Sequence, residues 1–435
     1  MKTINSEVSK KILPPPGLPF SYGWIILIVG TIGVIMSIPG QTMGVSVFTD
    51  FLIEALDISR TGISTTYMIG TILSALIIGK AGKFYDRFGA KITALIAVLA
   101  LALTLLYLSF IDDIGNKISS LGLFKPDLIS FILLTFGFFI LRFFGQGVLT
   151  MVSRNMVVKW FDKNRGLIVA LMGAFTAFGF SLAPKLFNTL IEAYDWKGTW
   201  RLQAFILFPV FALIVLIFFK DWRPELLTKT ENKIDNSELD ISNEKTLKEV
   251  LRTRVFWSYN LAIALMAMFG TAFTFHIVSI FSYAGIGRSS AVSIFIPISF
   301  IAVIISFAGS TLTDYINLKI ILILELIGII ISSIALIFLS TGIPIIILIA
   351  GMGIANGTFS VLLTITWINL FGKKHLGAIS GYAMGWTVAG SAIGPFIFSA
   401  LRDISGDYDL AAIISIILVI ILFLISKNKK GSVKV

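Results

Sequence analysis

Cysteine is absent from this chain of 435 residues, histidine occurs only twice, and charged residues make up only 14% of the total. Without a thiol the chain forms no disulfide and holds no thiolate-bound metal. The sequence also lacks a Walker loop, a metal-ligand cluster and a nucleophile elbow. These absences predict a protein that is not an enzyme, has no cofactor and does not use ATP directly.

Apolar residues, by contrast, make up 56% of the chain, with a mean hydropathy of +0.93. Such a composition at this length predicts a protein whose solvent is the lipid bilayer. A helix needs about 20 mainly apolar residues to cross a membrane, and backbone groups in hydrocarbon must be satisfied within the segment. Twelve segments meet this description, and we number them helices 1 to 12: near 22–48, 61–81, 90–111, 128–153, 166–190, 202–220, 256–282, 290–313, 319–341, 343–368, 377–401 and 410–426.

The net charge of +11 does not indicate a nucleic-acid partner, because the basic residues follow alternate helices instead of forming one face. Acidic residues such as Asp50 and Glu54 are mixed into the opposite loops, where we expect them to be solvated. By the positive-inside rule, both termini lie in the cytoplasm. The expected divisions are a cytoplasmic N-terminal segment (1–21), a six-helix bundle (22–220), a cytoplasmic linker (221–255), a second six-helix bundle (256–426) and a cytoplasmic tail (427–435).

The two bundles are predicted to be copies of one design. Ser46-Val47-Phe48-Thr49 recurs as Ser279-Ile280-Phe281-Ser282, and Trp24 recurs as Trp257, both 233 residues later. Further equivalences pair Gly82, Asp86, Gly89 and Lys91 with Ser310, Asp314, Asn317 and Lys319. Such a duplication predicts two pseudo-symmetric halves with a binding site where they meet.

Between helices 2 and 3 stands Gly82-Lys83-Phe84-Tyr85-Asp86-Arg87-Phe88-Gly89-Ala90-Lys91, where a glycine lets two helices reverse tightly. This run resembles the G-x-x-x-D-R-x-G-x-K/R loop of the major facilitator superfamily, and Asp314 marks a degenerate second copy. The resemblance covers essentially the whole chain. It implies an all-α membrane protein with the major facilitator fold, a secondary transporter that works by alternating access. It also implies a role in conformational gating for six residues, Gly82, Asp86, Arg87, Gly89, Lys91 and Asp314.

Three other stretches look like the monocarboxylate transporters and the oxalate/formate exchangers: Tyr22-Gly23-Trp24, Lys159 to Leu167, and Leu247 to Leu251. Those families commonly place an arginine inside helix 8, whereas this helix has only Arg288 at its outer end. Their ligand chemistry is therefore not transferred to this chain. Drug/proton antiporters usually carry a G-P-x-x-G-G run in helix 5, which this chain lacks.

Arg142 falls near the middle of helix 4. A charge inside a span costs roughly 2.5–3.5 kcal/mol on insertion scales and usually has a function. Gln146 shares its helix face one turn later, and the repeat places Asn356 opposite Gln146 and Met352 opposite Arg142. Arg142, Gln146 and Asn356 are thus candidates for substrate binding, the alternative being that they tie helices together by buried hydrogen bonds.

His276 lies in the outer third of helix 7. With an ordinary pKa of about 6.5, a histidine here can carry a proton or face an anion; the alternative is a packing histidine. Tyr382 and Trp386, one turn apart in helix 11, are further candidates for substrate binding. Whether Lys185, Arg154 and Glu325 are functional or structural stays open at this point.

Embedded basic or protonatable groups outnumber embedded acids, which favours a small organic anion, a carboxylate, as the substrate. The partner ion is a proton or a counter-anion. Two alternatives stay open: a proton-coupled exporter of drugs or amphipathic metabolites, and a non-transporting sensor on the same fold. We expect a monomer in the cell membrane, which is the cytoplasmic membrane in a bacterium, with the lipid bilayer and a small-molecule anionic substrate as partners and no nucleic acid.

Overall fold

The computed structural model describes residues 22–122, 124–161, 165–220, 245–312, 316–372 and 376–427. The regular elements in these ranges are all helical. Ten of the described helices are long and apolar enough to cross a membrane, and Asp409–Leu424 is a shorter apolar helix. One of the ten, Leu171–Phe218, has 48 residues and reverses at Asp195, so it crosses twice. The chain is an all-α membrane protein with twelve transmembrane helices in two pseudo-symmetric six-helix bundles, as the sequence predicts.

The helices of the first bundle are repeatedly interrupted. Helix 1 comprises Tyr22–Ile35, Ile38–Gly40 and Thr42–Ser46, and the short helix Thr49–Leu56 follows it. Helices 2 and 3 together span Arg60–Ser109 and are divided at Gly89, with the short helix Ile111–Ser119 after them. Helix 4 comprises Pro126–Leu141, the π-helical Arg142–Leu149, and Thr150–Trp160. Helices 5 and 6 occupy Arg165–Phe205, Ile206–Phe211 and Ala212–Phe218.

The helices of the second bundle are more regular. Helix 7 is Arg254–Tyr283, helix 8 is Arg288–Ser293 and Phe295–Leu312, and helix 9 is Leu318–Ile337. Helix 10 is Ile343–Phe371, helix 11 is Leu376–Ser405, and helix 12 is Asp409–Lys427.

The linker between the bundles is described only from residue 245 onward. It contains the short helix Leu247–Val250, where the Thr246 backbone N–H donates to the Glu249 carboxylate at 2.8 Å. Helix 7 begins at Arg254, close to the predicted end of the linker. The predicted N-terminal segment, the remainder of the linker and the C-terminal tail after Lys427 lie outside the described residues, so their assignment stays a prediction.

Single residues reverse the chain between helices 2 and 3 and between helices 5 and 6. Gly89 has φ +83°, a left-handed conformation that glycine adopts without steric cost. Asp195 has φ +59°, and its carboxylate accepts the Gly198 backbone N–H at 2.6 Å, as a helix N-cap does. The prediction of a tight glycine turn at Gly89 is confirmed, whereas the loop predicted between residues 190 and 202 is helical on both sides of Asp195.

The repeat is visible where helices 1 and 7 begin. In the first bundle, the rings of Tyr22 and Trp160 lie 5.6 Å apart, which joins the start of helix 1 to the end of helix 4. In the second bundle, Phe256 lies 5.1 Å from Trp367 and 6.3 Å from Phe371, which joins helix 7 to helix 10. Aromatic contacts thus fix the equivalent helix pair in each half.

Candidate functional site

The two bundles meet at the end of the molecule that the sequence predicts to face outward. The guanidinium of Arg288, at the start of helix 8, lies 3.5 Å from the Asp50 carboxylate of the first bundle. Arg288 also donates to the Val47 carbonyl, and to the Asn188 amide oxygen at 2.6 Å. Asp50 pairs with Arg60 of its own bundle at 2.6 Å. The expectation that Asp50 is merely solvated is therefore wrong, because this carboxylate lies between two arginines from opposite halves.

Two further contacts join the halves on this side. The Thr61 hydroxyl donates to the Asp403 carboxylate at 2.5 Å, which connects helix 2 to helix 11. The Tyr67 ring lies 4.6 Å from Phe275 of helix 7. We call the region of these contacts, together with the Arg288 cluster, the closed end.

Helix 11 packs differently along its length. A side chain built at Gly390 or Gly394 would strike the backbone of helix 7, so these glycines allow a close approach toward the closed end. A Cβ added at Gly381 or Gly385 would have no neighbouring atom within 4 Å, and the same holds for Gly173 on helix 5. We call the end of the molecule that carries these unobstructed glycines the open end.

Helix 1 is broken where it meets helix 4. Pro39 has no backbone N–H to donate, and a proline interrupts a helix for that reason. A Cβ at Gly40 would lie 2.7 Å from the Gly145 backbone and still closer to the Leu141 carbonyl, so only glycine permits this approach. The π-helical part of helix 4 lies against the break, and π-bulges are frequent at functional sites.

Arg142 is the first residue of that π-helical stretch, and its side chain is 0% exposed. One terminal nitrogen donates to the Gly40 carbonyl at 3.1 Å and approaches the Thr42 hydroxyl at 3.5 Å. The guanidinium lies 4.9 Å from the Tyr67 ring centre, and the Tyr67 hydroxyl is hydrogen-bonded to Thr42 at 2.7 Å. Within the described part of the chain, Nε and the other terminal nitrogen have no hydrogen-bond partner. A buried cation with unpaired donors is costly and marks a position that an anion would stabilise.

Gln146 begins a polar stripe along helix 4 that continues with Thr150 and Arg154 at four-residue spacing. Thr150 is hydrogen-bonded to Ser37 at 2.9 Å and to the Gln41 amide at 3.2 Å, beside the break in helix 1. Gln146 is half-buried and Arg154 is exposed. A long basic side chain toward the end of a spanning helix can bring its charged head to the interface.

Asn356 begins the equivalent stripe on helix 10, followed by Ser360 and Thr364. The side chains of Asn356, Ser360 and Thr364 donate to carbonyls one turn earlier on their own helix, at 2.8, 3.0 and 2.8 Å. Asn356 is half-buried, and the two hydroxyl residues are exposed. The repeat alignment pairs the two stripes residue by residue, with Thr364 in the place of Arg154.

The predicted aromatic candidates lie toward the open end. Tyr382 is 38% exposed and Trp386 39% exposed. The Tyr382 ring lies 6.1 Å from Phe256, and the Trp386 ring lies edge-on to Trp257 at 5.5 Å. These two side chains therefore combine an exposed face with support from the start of helix 7.

His276 is 0% exposed and connects helix 7 to helix 11, since its Nε2 lies 2.8 Å from the Pro395 carbonyl. Its ring also packs 5.7 Å from the Tyr408 ring, whose hydroxyl is hydrogen-bonded to Ser279 at 2.9 Å. The other ring nitrogen, Nδ1, has no hydrogen-bond partner among the described residues. His276 is thus separate from the Arg142 cluster but lies next to Phe275, which contacts Tyr67.

The predicted gating loop is described in part. Gly89 forms the reversal. A Cβ added at Gly82 would lie 4.0 Å from the Met151 sulfur of helix 4. Arg87 is exposed, with its guanidinium 5.2 Å from the Phe88 ring, and Lys91 is half-buried. Asp86 lies in the helix before the turn, but its side chain is not among those that the structure describes. Asp314 lies outside the described residues.

Several residues around Arg142 were not predicted from the sequence: Gln41, Thr42, Tyr67 and Thr150. The signal that could have indicated them is Pro39-Gly40, because a proline inside an apolar span marks a break. Within the described ranges, no group of three or more His, Asp or Glu side chains is placed to hold a metal ion.

The comparison with known families gives a match to the Major Facilitator Superfamily over residues 30–395. A search of curated proteins finds no match. Among solved structures, one similar chain is a bacterial homolog of the human lysosomal transporter Spinster in an inward-facing and occupied conformation, with a TM-score of 0.68, 12% identity, and coverage of 95% of this chain and 100% of that one. The same bacterial homolog in an inward-facing and unoccupied conformation gives a TM-score of 0.67 and 13% identity, with the same coverage of both chains.

At such identities the structural matches establish the fold alone, whereas the family match spans most of the chain. The family match agrees with the twelve helices and with the resemblance of the loop between helices 2 and 3 to this family. This chain belongs to the major facilitator superfamily: it is a multi-pass membrane protein and a secondary transporter of a small-molecule substrate, not an enzyme.

Proposed function

We propose that this transporter moves a small organic anion, a monocarboxylate or a related carboxylate, by alternating access and together with a proton. The observation that carries the proposal is Arg142, a fully buried guanidinium with two unpaired nitrogens and no carboxylate partner among the described side chains. A carboxylate accepts two parallel N–H donors from a guanidinium, so it is the ligand that best complements this group.

The helices that carry the candidate residues offer no competing acid near their middle. Helices 1, 7 and 10 contain no Asp or Glu, and helices 4 and 11 contain only Asp127 and Asp403, each near one end. A cationic substrate would find no counter-charge between these helices. An anion would find Arg142 and the exposed Arg154 on the same helix.

In this proposal the substrate enters from the open end and rests between the two polar stripes. Gln146 and Asn356 present amides from opposite halves, and Tyr382 and Trp386 contribute apolar surface for the rest of the molecule. Binding between the halves is typical of transporters built from repeats. The side chains of both stripes are half-buried or exposed. Such side chains can contact water before the substrate binds and the substrate afterwards.

Alternating access requires the closed end to separate while the open end closes. Because the Arg288 contacts are few and partly exposed, their loss is compatible with rocking of one half against the other. In this proposal both termini lie in the cytoplasm, so the open end faces inward, and the loop from Gly82 to Lys91 and the degenerate copy at Asp314 limit its opening.

His276 is the proposed proton-coupling group. Its bond to the Pro395 carbonyl spans helices 7 and 11, and Nδ1 has no hydrogen-bond partner among the described residues. A carboxylate that travels with a proton is an electroneutral cargo. The competing mechanism is exchange against a counter-anion, which needs no proton.

The experiment is uptake of a panel of labelled monocarboxylates into proteoliposomes that contain the purified protein. We expect at least one anion to be taken up, faster under an imposed inward proton gradient than without it. Protein-free liposomes and the surface variant Lys117→Ala serve as controls, since Lys117 is exposed and remote from the stripes.

Other outcomes would contradict the proposal in distinct ways. Movement of a cationic dye without movement of any anion would identify an exporter of amphipathic compounds. No transport under any gradient would favour a sensor. Uptake that requires an internal counter-anion and ignores the proton gradient would establish exchange, and would return His276 to a packing role.

A further inference from the structure

Glu325, in the middle of helix 9, is a buried acid that the proposed mechanism does not use. Its side chain is 0% exposed, and neither carboxylate oxygen has a hydrogen-bond partner in the described part of the chain. An ionised carboxylate without a partner is strongly unfavourable in a low-dielectric interior, and such a group takes up a proton instead. In this conformation Glu325 is therefore expected to be a neutral carboxylic acid.

The surroundings supply no compensating charge. Helix 9 packs against helices 7, 10 and 12. Helix 10 has no titratable residue, and helix 12 has Asp409 and Lys427 only at its two ends. The titratable or charged groups of helix 7 are Arg254, Tyr259, His276 and Tyr283, and helix 9 itself has Lys319 near its start. The described residues include no hydrogen bond or ion pair from any of these groups to Glu325.

Glu325 also lies one turn from a close contact between helices 9 and 10. One turn later in helix 9, a Cβ at Gly328 would lie 2.8 Å from the Ala355 backbone nitrogen and 2.9 Å from the Gly351 carbonyl oxygen. Glu325 itself is fully buried, so water does not reach its carboxyl in this conformation. Ala355 precedes Asn356, so the helix packed against Gly328 is also the helix that carries the second polar stripe.

We infer that Glu325 is a proton-carrying residue of the transport cycle, linked to the substrate stripe through the contact between helices 9 and 10. The proton adds from water to one carboxylate oxygen, forming an O–H bond and a neutral acid. It returns to water in a state of the transport cycle in which water reaches the carboxyl. This inference rests on the proposed proton-coupled transport and names a carrier other than His276.

Glu325→Gln tests the inference because glutamine mimics the neutral acid but cannot release a proton. We expect exchange of labelled anion at equal pH on both sides to stay within about twofold of wild type. Accumulation driven by a proton gradient should fall by about tenfold or more, a size typical of coupling between two sites. Ser333→Ala is the matched control, because Ser333 is also fully buried and unpaired on helix 9; it should leave both activities unchanged.

Retained exchange shows that Glu325→Gln is folded, and Glu325→Asp, which restores a titratable group, should recover part of the accumulation. Accumulation by Glu325→Gln equal to that of wild type would overturn the inference. A second outcome would also overturn it: Glu325→Gln and Glu325→Asp both lose exchange as well as accumulation. That pattern would indicate a structural role.

A second measurement does not depend on the substrate. Infrared spectra of the purified protein at neutral pH should contain a protonated carboxylic acid C=O band that is missing in Glu325→Gln and present in Ser333→Ala. Absence of this band in wild type would overturn the inference even if anions are transported. If the band is present but no anion is transported, the proposed substrate fails while the protonated state of Glu325 is supported.

Discussion

The two halves of this transporter differ most in the helices that line its centre. In the first half, helix 1 is broken at Ile38–Gly40 and helix 4 is π-helical over Arg142–Leu149. Their counterparts, helices 7 and 10, run without interruption. Arg142 corresponds to Met352, which is 2% exposed in the middle of helix 10. The buried charge and the irregular backbone thus occur together in the first half, whereas the equivalent helices of the second half are regular and carry an apolar residue at that position.

The buried acid shows the reverse asymmetry. By the alignment that pairs Lys91 with Lys319, Glu325 corresponds to Ala97, a fully buried residue of helix 3. The first half therefore holds the embedded cations and the second half the embedded carboxyl. In our proposal this division separates anion binding from proton carriage, which lets each half respond to a different ion.

Topology offers an all-or-none test of the comparison. Lys125 lies before helix 4 and Gly342 before helix 10, at equivalent places in the two halves. If the halves are parallel copies with cytoplasmic termini, reporter domains fused after either residue should read as external. A cytoplasmic signal at one position would break the equivalence, and at both would reverse the orientation.

Arg142→Met gives the first half the side chain found at the equivalent position of the second. We expect uptake to fall by about 100-fold, because removing one partner of a buried charge pair typically costs about 2–5 kcal/mol. Arg142→Lys, which keeps the charge without the planar fork, should also be impaired if recognition is bidentate. Uptake rates at equal membrane insertion are the measurement, and a folded, fully active Arg142→Met protein would remove Arg142 from the binding site.

Arg154→Thr makes the corresponding change nearer the open end, matching Thr364. The side chain is exposed, so a smaller effect is expected: about tenfold weaker apparent affinity for the anion, at most, since screening reduces exposed charge interactions. Concentration dependence of uptake at low and high salt measures it. Lys117→Ala controls for loss of one positive charge, and an affinity equal to wild type at low salt would contradict a role for Arg154.

Arg288→Ala tests how firmly the second half holds the first at the closed end. Its ion pair with Asp50 is partly exposed and is worth at most about 1 kcal/mol, or about fivefold in the population of open states. Since the chain has no cysteine, a single cysteine at Ser46 provides a unique probe. We expect faster thiol labelling from outside in Arg288→Ala, and an unchanged rate would show that other contacts hold this end.

The smallest expected effect is that of His276→Gln. Glutamine retains a donor for the Pro395 carbonyl but cannot titrate. If His276 is the coupling group, the pH dependence of uptake should weaken more than substrate affinity does. Parallel profiles of both variants, His276→Gln and Glu325→Gln, decide which residue carries the proton, and an unaltered profile for His276→Gln assigns it a packing role.

Much of the fold was predictable because crossing a membrane requires long apolar helices, and long apolar runs of this kind are typical of membrane-spanning segments. The reversal at Gly89 was predictable for a similar reason, since the positive φ there requires a local signal that glycine provides. Arg142, Gln146 and Asn356 were predicted as candidates because polar groups are rare in spans.

The rest depends on contacts between distant segments. The π-helical stretch of helix 4 lies at the backbone contact between Gly40 and Gly145, which neither segment shows alone. Arg288 and Val47 meet across 241 residues, so no local pattern distinguished an arginine at a helix end from one that joins the halves. The isolation of Glu325 likewise appears only once helices 7, 9, 10 and 12 are packed.

The one-residue reversals at Gly89 and Asp195 have a consequence for engineering. Each leaves no slack between its two helices, so helices 2 and 3, and likewise helices 5 and 6, are stiff hairpins that tolerate no inserted epitope or fluorescent domain at the turn. Residues 116–122 between helices 3 and 4 offer a more permissive site, with exposed polar side chains at Asn116 and Lys117. An inserted reporter there would follow the motion of the first half as a rigid body.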